Sequence, residues 1–271
     1  MDYLQLSYVQ VGFASLLILV NAAISIWLRL GLERSLLVAS FRTIVQLLLI
    51  GLILQWVFQF DQWYVVIGIL MIMTMIAGVT AVQRNDRRYP GIWLDTILSV
   101  WVSSWAITAF ALLIVLNGID KWYQPQYAIP LMGMMLGNTL NGISVGLSTF
   151  TETAYTRNDE IETMLTLGAT RWEAISGPIR HAMQTGMTPI INSMMIVGLV
   201  SLPGMMTGQL LAGVEPSEAV KYQIAIMFLV ASATALGTAG AVLLSFRRLF
   251  TVDHQFLRSL LQSKRTAPRN A

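Results

Sequence analysis

The chain has 271 residues, of which 55% are hydrophobic and 11% are charged, and its formal net charge is +3. Soluble domains carry charged residues at roughly a quarter of their positions, so this composition excludes an ordinary soluble protein and predicts a membrane protein. The absence of cysteine excludes disulfides, thiolate metal sites and a cysteine nucleophile. The amino terminus lacks the basic region of a signal peptide, so we expect the first apolar run to remain as a span.

Apolar runs long enough to cross a hydrocarbon core of ~30 Å predict an all-α, polytopic bundle of about seven transmembrane helices. In chain order the spans are predicted near 8–28, 36–58, 63–82, 95–116, 127–150, 182–201 and 221–246. Apolar character continues past Pro203 to Ala212, which predicts either a re-entrant or surface helix over 202–213 or a simple break before an external loop. We expect one transmembrane domain over 1–250 and a basic cytosolic tail, most simply solvated, over 251–271.

Basic residues are concentrated on one side of the predicted bundle. Of the 17 lysines and arginines, all but Lys121, Lys221 and Arg42 lie in one alternate set of connections or in the tail. The positive-inside rule therefore predicts an outside amino terminus and a cytosolic carboxyl terminus. Arg42 lies inside the second predicted span, where it either snorkels to the cytosolic surface or binds an anion.

A polar cytosolic segment over 151–180 separates the fifth and sixth predicted spans. Asp159 with Glu162, and Thr170 with Glu173, have the spacing of capping boxes and predict two short helices that meet at Gly168. One apolar side of this pair would consist of Ile161, Leu165, Trp172 and Ile175. Two interpretations remain open, a pair that docks into a groove on another protein and an amphipathic segment that rests on the membrane surface.

No energy source is encoded in the chain. It has no Gly-x-x-x-x-Gly-Lys-[Ser/Thr] loop, so it does not bind ATP through a P-loop. An ion-coupled carrier would usually keep an acid or a histidine at mid-membrane, and the predicted spans have neither at depth. We therefore expect a transport subunit, not an enzyme, whose energy comes from a partner.

The cytosolic segment resembles the coupling segment of ABC transporter permeases, whose pattern is Glu-Ala-Ala, three residues, Gly, nine residues, Ile-x-Leu-Pro. Glu162 and Gly168 have the matching spacing, and 167–170 (LGAT) is similar to its centre. Thr163 and Met164 replace the two alanines, and 177–179 (GPI) stands in place of the final motif.

Other stretches resemble the FetB/YbbM family of ABC permease subunits, which are assigned to iron export and have plant relatives linked to aluminium tolerance. They are 198–208 (GLVSLPGMMTG), 213–216 (GVEP), 219–223 (AVKYQ), 42–47 (RTIVQL) and 133–138 (GMMLGN). The resemblance implies a multi-pass inner-membrane permease domain over 1–250. It also implies a separate ATP-hydrolysing subunit, two copies of each subunit, and no cofactor or nucleic acid bound by this chain.

In that interpretation the residues that couple the chain to the ATPase are Glu162, Leu165, Gly168, Ala169, Thr170, Arg171 and Trp172. The candidate pore or gate residues lie in the fifth and sixth spans and just beyond, and are Asn138, Asn141, Ser201, Pro203, Gly204, Met205 and Met206. The spacings Gly133-x-x-x-Gly137 and Gly142-x-x-x-Gly146 predict close helix packing. The two asparagines either hydrogen-bond between helices or contact a substrate.

The substrate is the least determined property. Iron is what the resemblance implies; the spans offer no carboxylate or imidazole at depth, and their methionines serve either as packing or as soft ligands. The substrate could instead be another metal, a chelate or an organic solute, and the sequence does not determine the direction of transport. The alternatives from other classes are an ion-coupled secondary transporter and a seven-helix receptor. The lack of a second half that resembles the first counts against the transporter, and the lack of an interior lysine in the seventh span counts against a receptor or photoprotein that binds retinal.

Overall fold

A computed structural model describes residues 7–60, 62–116, 121–251, 253 and 255–263. These residues are almost entirely helical, which confirms the all-α fold class expected of a polytopic membrane protein. The chain divides into two compact units, Met1–Gln62 and Trp63–Ala271.

The α-helices of the described residues are, in chain order, α1 (Tyr8–Trp27), α2 (Glu33–Phe60), α3 (Trp63–Gln83), α4 (Ile92–Phe110), α5 (Pro125–Thr156), α6 (Asn158–Thr166), α7 (Arg171–Ile196), α8 (Gly204–Leu211) and α9 (Pro216–Leu249). A π-helical turn, Ala111–Val115, extends α4, and a 3-10 turn spans Arg258–Leu260. Two short strands, β1 (Arg87–Arg88) and β2 (Gln262–Ser263), pair antiparallel.

Unit 1 is an antiparallel pair of apolar helices joined by a tight turn. The hydroxyl of Ser25 donates to the Glu33 carboxylate at 2.9 Å and accepts the Leu32 N–H at 2.9 Å. Gly31 adopts a φ of +68°, a left-handed conformation that glycine reaches without a Cβ clash. The buried hydroxyl therefore fixes the turn that reverses the chain between the two helices.

In unit 2, α5 is central and packs against α3, α4, α7 and α9. Its contact with α7 occurs at glycines: a Cβ placed on Gly186 would lie 2.8 Å from the Gly142 carbonyl oxygen and 3.2 Å from the Gly146 Cα. The predicted close packing at Gly142 and Gly146 is therefore confirmed. Among the described residues of unit 2, no helix backbone lies within 4 Å of a Cβ placed on Gly133 or Gly137, so close packing at these two positions stays a prediction.

Within the described residues, five helical segments are long and apolar enough to cross a membrane by length and composition, namely Val9–Trp27, Glu33–Gln59, Trp63–Gln83, Ile92–Val115 and Pro216–Leu249. They coincide with the first four and the last of the predicted spans. The two remaining helices, α5 and α7, are long enough, with 32 and 26 residues, but polar residues interrupt their apolar character. Their assignment as spans stays a prediction.

The chain beyond α9 folds back onto unit 2. Leu261 is buried, Phe256 and Leu260 pack against the core around Phe150, and β2 pairs with β1. The expectation of a solvated tail is therefore wrong for this part of the chain, because its apolar side chains find a core to cover. The remaining basic tail, residues 264–271, lies outside the described residues.

Candidate functional site

The helical hairpin formed by α6 and the start of α7 has, at its apex, the turn that the sequence predicts. Gly168 has a φ of +91°, and its N–H donates to the Leu165 carbonyl at 3.1 Å while the Ala169 N–H donates to the Met164 carbonyl at 3.0 Å. This pair of bonds is a Schellman motif, which ends a helix and turns the chain sharply. A Cβ added at Gly168 would meet no atom within 4 Å, so only the backbone conformation demands glycine there.

One of the two predicted caps is present. Thr170 caps α7 through a reciprocal capping box with Glu173, whose carboxylate accepts the Thr170 N–H at 2.8 Å. That backbone hydrogen bond lowers the pKa of the Glu173 carboxyl below its usual value. The Asp159 cap is wrong, because α6 begins at Asn158, with only Arg157 between it and the end of α5, and Asp159 lies inside its first turn.

Two further predictions about this hairpin need correction. The second helix is not short, because α7 continues through Pro178 and Pro189 for 26 residues. The predicted apolar side faces outward only at Trp172: Ile161 and Ile175 are 1% and 0% exposed and belong to the core of unit 2, against which Leu165 also packs. The hairpin has its own bundle to pack against, and burial of these side chains there is the more favourable arrangement.

A different apolar surface faces outward at the hairpin apex. Leu167 is 82% exposed and Trp172 is 51% exposed, and Glu162 is exposed on the same hairpin. Of the other predicted coupling residues, Thr170 is exposed, whereas Leu165, Ala169 and Arg171 are half-buried. We call the exposed surface of Glu162, Leu167, Gly168, Thr170 and Trp172 the hairpin tip.

The hairpin tip is connected to α9 by a row of aromatic rings. The Trp172 ring meets the Phe246 ring edge-on at 5.8 Å between centroids, followed by Phe250 at 5.4 Å and Phe256 at 5.2 Å. Arg171 donates to the Thr251 carbonyl at 3.5 Å. The tip and the end of α9 are therefore joined by continuous side-chain contacts.

The same end of α9 is tied to α4 by a buried polar cluster. Arg248 Nε donates to the buried carboxylate of Asp95 at 2.7 Å, and the Tyr89 hydroxyl donates to that carboxylate at 3.1 Å and lies 2.6 Å from the Ser245 hydroxyl. Burial raises the pKa of Tyr89. Gly91 is packed so closely under Arg248 that a Cβ there would lie 2.7 Å from Cζ. Sequence reasoning missed this cluster, although a lone acid at the start of an apolar helix was a signal for a buried cationic partner.

A second ionic cluster joins the α3–α4 connection to the end of α5. Arg87 forms an ion pair with Glu152, which raises the pKa of the Arg87 guanidinium. Arg87 and Arg258 also lie over the Tyr155 ring, at 3.5 Å and 4.6 Å from its centroid. These contacts hold β1 and the returning chain against the base of α5, and no sequence pattern indicated them.

The two candidate pore asparagines differ in their partners. Asn138 is half-buried and donates to the Met134 carbonyl of its own helix at 2.9 Å. Asn141 is exposed and accepts from Arg84 Nη1 at 2.7 Å. Together with Gly137, Asn141 lies on an open face of α5, so a polar stripe stays uncovered by the other helices of unit 2.

The predicted gate region contains a turn and a short helix. The sixth predicted span extends to residue 201, but α7 ends at Ile196, and Gly198, with a φ of +84°, makes the turn. Pro203 precedes α8, the helix that begins at Gly204, and Ser201 closes the turn by accepting the Gly198 N–H at 2.9 Å. The location of α8 relative to the membrane stays a prediction.

The predicted gate methionines are half-buried, and one of them lines a cavity. Met206, with Met194, Met227 and the buried Gln223, lines a cavity of about 440 Å³ between α7, α8 and α9. Met205 is half-buried in α8.

The described residues contain no group of three or more histidine, aspartate or glutamate side chains that could hold a metal ion. Met132 and Met135, two of the candidate soft ligands, are fully buried, and Met132 accepts a hydrogen bond from Thr108 at 3.6 Å. Burial and this hydrogen bond favour the interpretation of both as packing, and their role as soft ligands stays untested. Met134 is half-buried and stays a candidate.

Comparison with known proteins decides the family. The profile of the uncharacterised protein family UPF0014 matches residues 8–250. The chain belongs to the UPF0014 family. This confirms the resemblance to FetB-type permeases, because relatives of that kind align over nearly the whole chain.

Three relatives show the range of the family. A UPF0014 membrane protein of Synechocystis is 40% identical over 94% of this chain and 98% of its own length. The probable iron export permease protein FetB of Escherichia coli is 30% identical over 93% of this chain and 96% of its own. The protein ALUMINUM SENSITIVE 3 of Arabidopsis thaliana is 30% identical over 92% and 90%, respectively. No solved structure matches the chain.

Proposed function

We propose that the chain is the membrane-spanning permease subunit of an ABC transporter. Two copies pair with two copies of a separate P-loop ATPase, which binds and hydrolyses the ATP, while this chain binds no cofactor. The complex lies in the plasma membrane, the inner membrane of a bacterium, with seven spans per permease, the amino terminus outside and the carboxyl terminus cytosolic. Its cargo is a metal ion moved outward, with iron the best candidate because FetB is named a probable iron export permease.

The observation that carries the proposal is the hairpin tip. It presents Leu167 and Trp172 to solvent on a rigid helical turn, and exposed apolar side chains on such a turn are typical of a docking element for another protein. The Schellman motif at Gly168 and the capping box at Thr170 hold its shape without a partner. A preorganised element loses little entropy on docking.

The aromatic row and the Asp95–Arg248 pair extend this docking element into the bundle. A closing ATPase would displace the tip, Trp172 would push on Phe246, and α9 would move together with α4. The polar face of α5 around Asn141 is a fitting wall for a water-filled path, because exposed amides in hydrocarbon are costly. A path lined by groups that bind the cargo weakly suits export, because an exporter must release its cargo and does not need to bind it tightly.

The test begins with purification of the chain from its native membrane in mild detergent, followed by mass spectrometry of co-purifying proteins. A near-stoichiometric P-loop ATPase is the expected result. In the purified complex, Leu167→Ser should weaken ATPase retention, because Leu167 is 82% exposed and its loss leaves the chain's own core intact.

Leu211→Ser is the matched control, since Leu211 is also exposed, at 63%, but lies on α8. Loss of the ATPase with both variants, or with neither, would refute the assignment of the hairpin tip as the docking surface. Iron efflux from loaded proteoliposomes, compared with efflux of other divalent metals, then tests the cargo independently of the docking result.

A further inference from the structure

A second feature of unit 2, separate from the hairpin tip, is a groove of about 520 Å³ between α4 and α9. Its walls are apolar and include Leu98, Val102, Ala106, Leu236 and Leu243. Several of these side chains are about half exposed, so the groove is open along its length. Within a membrane protein, an open apolar groove of this kind fits a hydrocarbon chain.

The hydroxyl groups at the floor of the groove do not change its preference for a hydrocarbon chain. Ser99 donates to the Asp95 carbonyl at 2.7 Å and Ser103 donates to the Ser99 carbonyl at 2.6 Å, so both hydroxyl hydrogens are used within α4. Among the described lining residues, an occupant therefore meets no free hydroxyl donor, and the polar group left to it is Arg247 at one end. An acyl chain suits these walls better than a polar solute.

The length of the groove corresponds to one leaflet. Leu236 and Arg247 are eleven residues apart on α9 and both line the groove. At 1.5 Å per residue this separation is roughly 16 Å, about half of a ~30 Å hydrocarbon core. A single phospholipid that stands beside the bundle would span this distance with one chain.

A cation lies at the end of the groove. Arg247 is exposed in the last turn of α9 and lines the groove, and within the described part of the chain no ion pair includes it. Asp95, the acid at that end of α4, is already bound by Arg248 at 2.7 Å. The guanidinium of Arg247 is therefore available to an external anion, and a phosphate is an anion whose geometry matches it.

We propose that the groove binds one anionic phospholipid, with an acyl chain between α4 and α9 and the headgroup phosphate on Arg247. The inner leaflet supplies such lipids when the Arg247 end is cytosolic, which is the orientation put forward under Proposed function. The site adjoins the hairpin tip, because Phe246 lines the groove and its ring contacts that of Trp172, but it contains no residue of the tip and does not depend on the nature of the cargo. An anionic lipid bound there would brace the α4–α9 contact that the Asp95–Arg248 pair also maintains.

The experiment reconstitutes the full chain, with any ATPase that accompanies it, in nanodiscs with equal amounts of phosphatidylglycerol and phosphatidylcholine of identical chains. Native mass spectrometry after release counts the lipids retained per chain. We expect one preferentially retained phosphatidylglycerol, and Arg247→Gln should lower the ratio of the two lipids about five-fold. Arg180→Gln is the matched control, because Arg180 is an exposed arginine on α7 outside the groove.

A second variant tests the groove itself. Ala106→Phe should fill the apolar channel and lower retention of both lipids, whereas the headgroup variant affects only the anionic one. Equal retention of the two lipids by the wild-type chain, or equal losses with Arg247→Gln and Arg180→Gln, would overturn the proposal. Conversion of a dimer to a monomer by Ala106→Phe with unchanged lipid retention would assign the groove to a subunit interface and overturn it as well. These readouts are independent of whether an ATPase partner is found.

Discussion

Replacement of Gly168 tests whether the hairpin tip needs one particular backbone conformation. Its φ is +91°, and a Cβ there would meet nothing within 4 Å, so substitution costs conformational energy and no packing energy. A left-handed conformation costs a non-glycine residue about 1–2 kcal/mol, and valine lies at the upper end because its branched Cβ adds crowding. The open form of the turn should therefore become about 5 to 30 times more populated in Gly168→Val.

Amide hydrogen exchange in nanodiscs measures this population directly. The Ala169 N–H, which donates to Met164 in the Schellman motif, should exchange faster by that factor, and ATP-driven transport should fall while the protein stays in the membrane. Gly168→Asn should show a smaller effect, because asparagine tolerates the left-handed region. Gly177→Val is the matched control, since Gly177 lies in the helical part of α7 and its Cβ would also meet nothing within 4 Å. Indistinguishable exchange in the Gly168→Val and Gly177→Val proteins would refute the reasoning.

Three further predictions concern the bundle and the cap. Gly186→Ala should lower stability by about 1–3 kcal/mol in a thermal unfolding assay, because its Cβ would lie 2.8 Å from the Gly142 carbonyl oxygen; Gly208→Ala, at an open site, should not. Arg248→Met leaves the Asp95 carboxylate buried without its cation and should lower the free energy of unfolding by ~3 kcal/mol. Adding Asp95→Asn should restore part of this loss, and no recovery in the double variant would contradict the pairing. The Glu173 carboxyl has a lowered pKa, so its stabilisation of the first turn of α7 is complete above about pH 4.3 and disappears as pH falls through the lower folded value. Exchange of that turn should lose protection on acidification, and a Glu173→Gln protein should lack this pH dependence.

Some features of the candidate site depend only on residues close together in the sequence, whereas others depend on residues far apart. Gly168 and the Thr170 cap were predictable because a helix end and a helix start depend on residues within one turn. The burial of Ile161 and Ile175 was not, since an apolar stripe has the same periodicity whether it faces a partner or its own core. The Asp95–Arg248 pair joins residues 153 positions apart, so no spacing rule could reveal it.

By itself the sequence determined the class of the protein, the helices whose apolar runs are long enough to span a bilayer, and the apex of the helical hairpin, because hydrocarbon thickness and local turn chemistry impose these features directly. Only the tertiary structure decided which glycines bring helices together, since Gly142 and Gly133 have identical spacing patterns but face different surroundings. It also decided that the hairpin turns Ile161 inward and Leu167 outward, and that the chain after α9 returns to cover the core. The physical reason is that burial depends on what the rest of the chain places opposite each side chain, and that information is not local in the sequence.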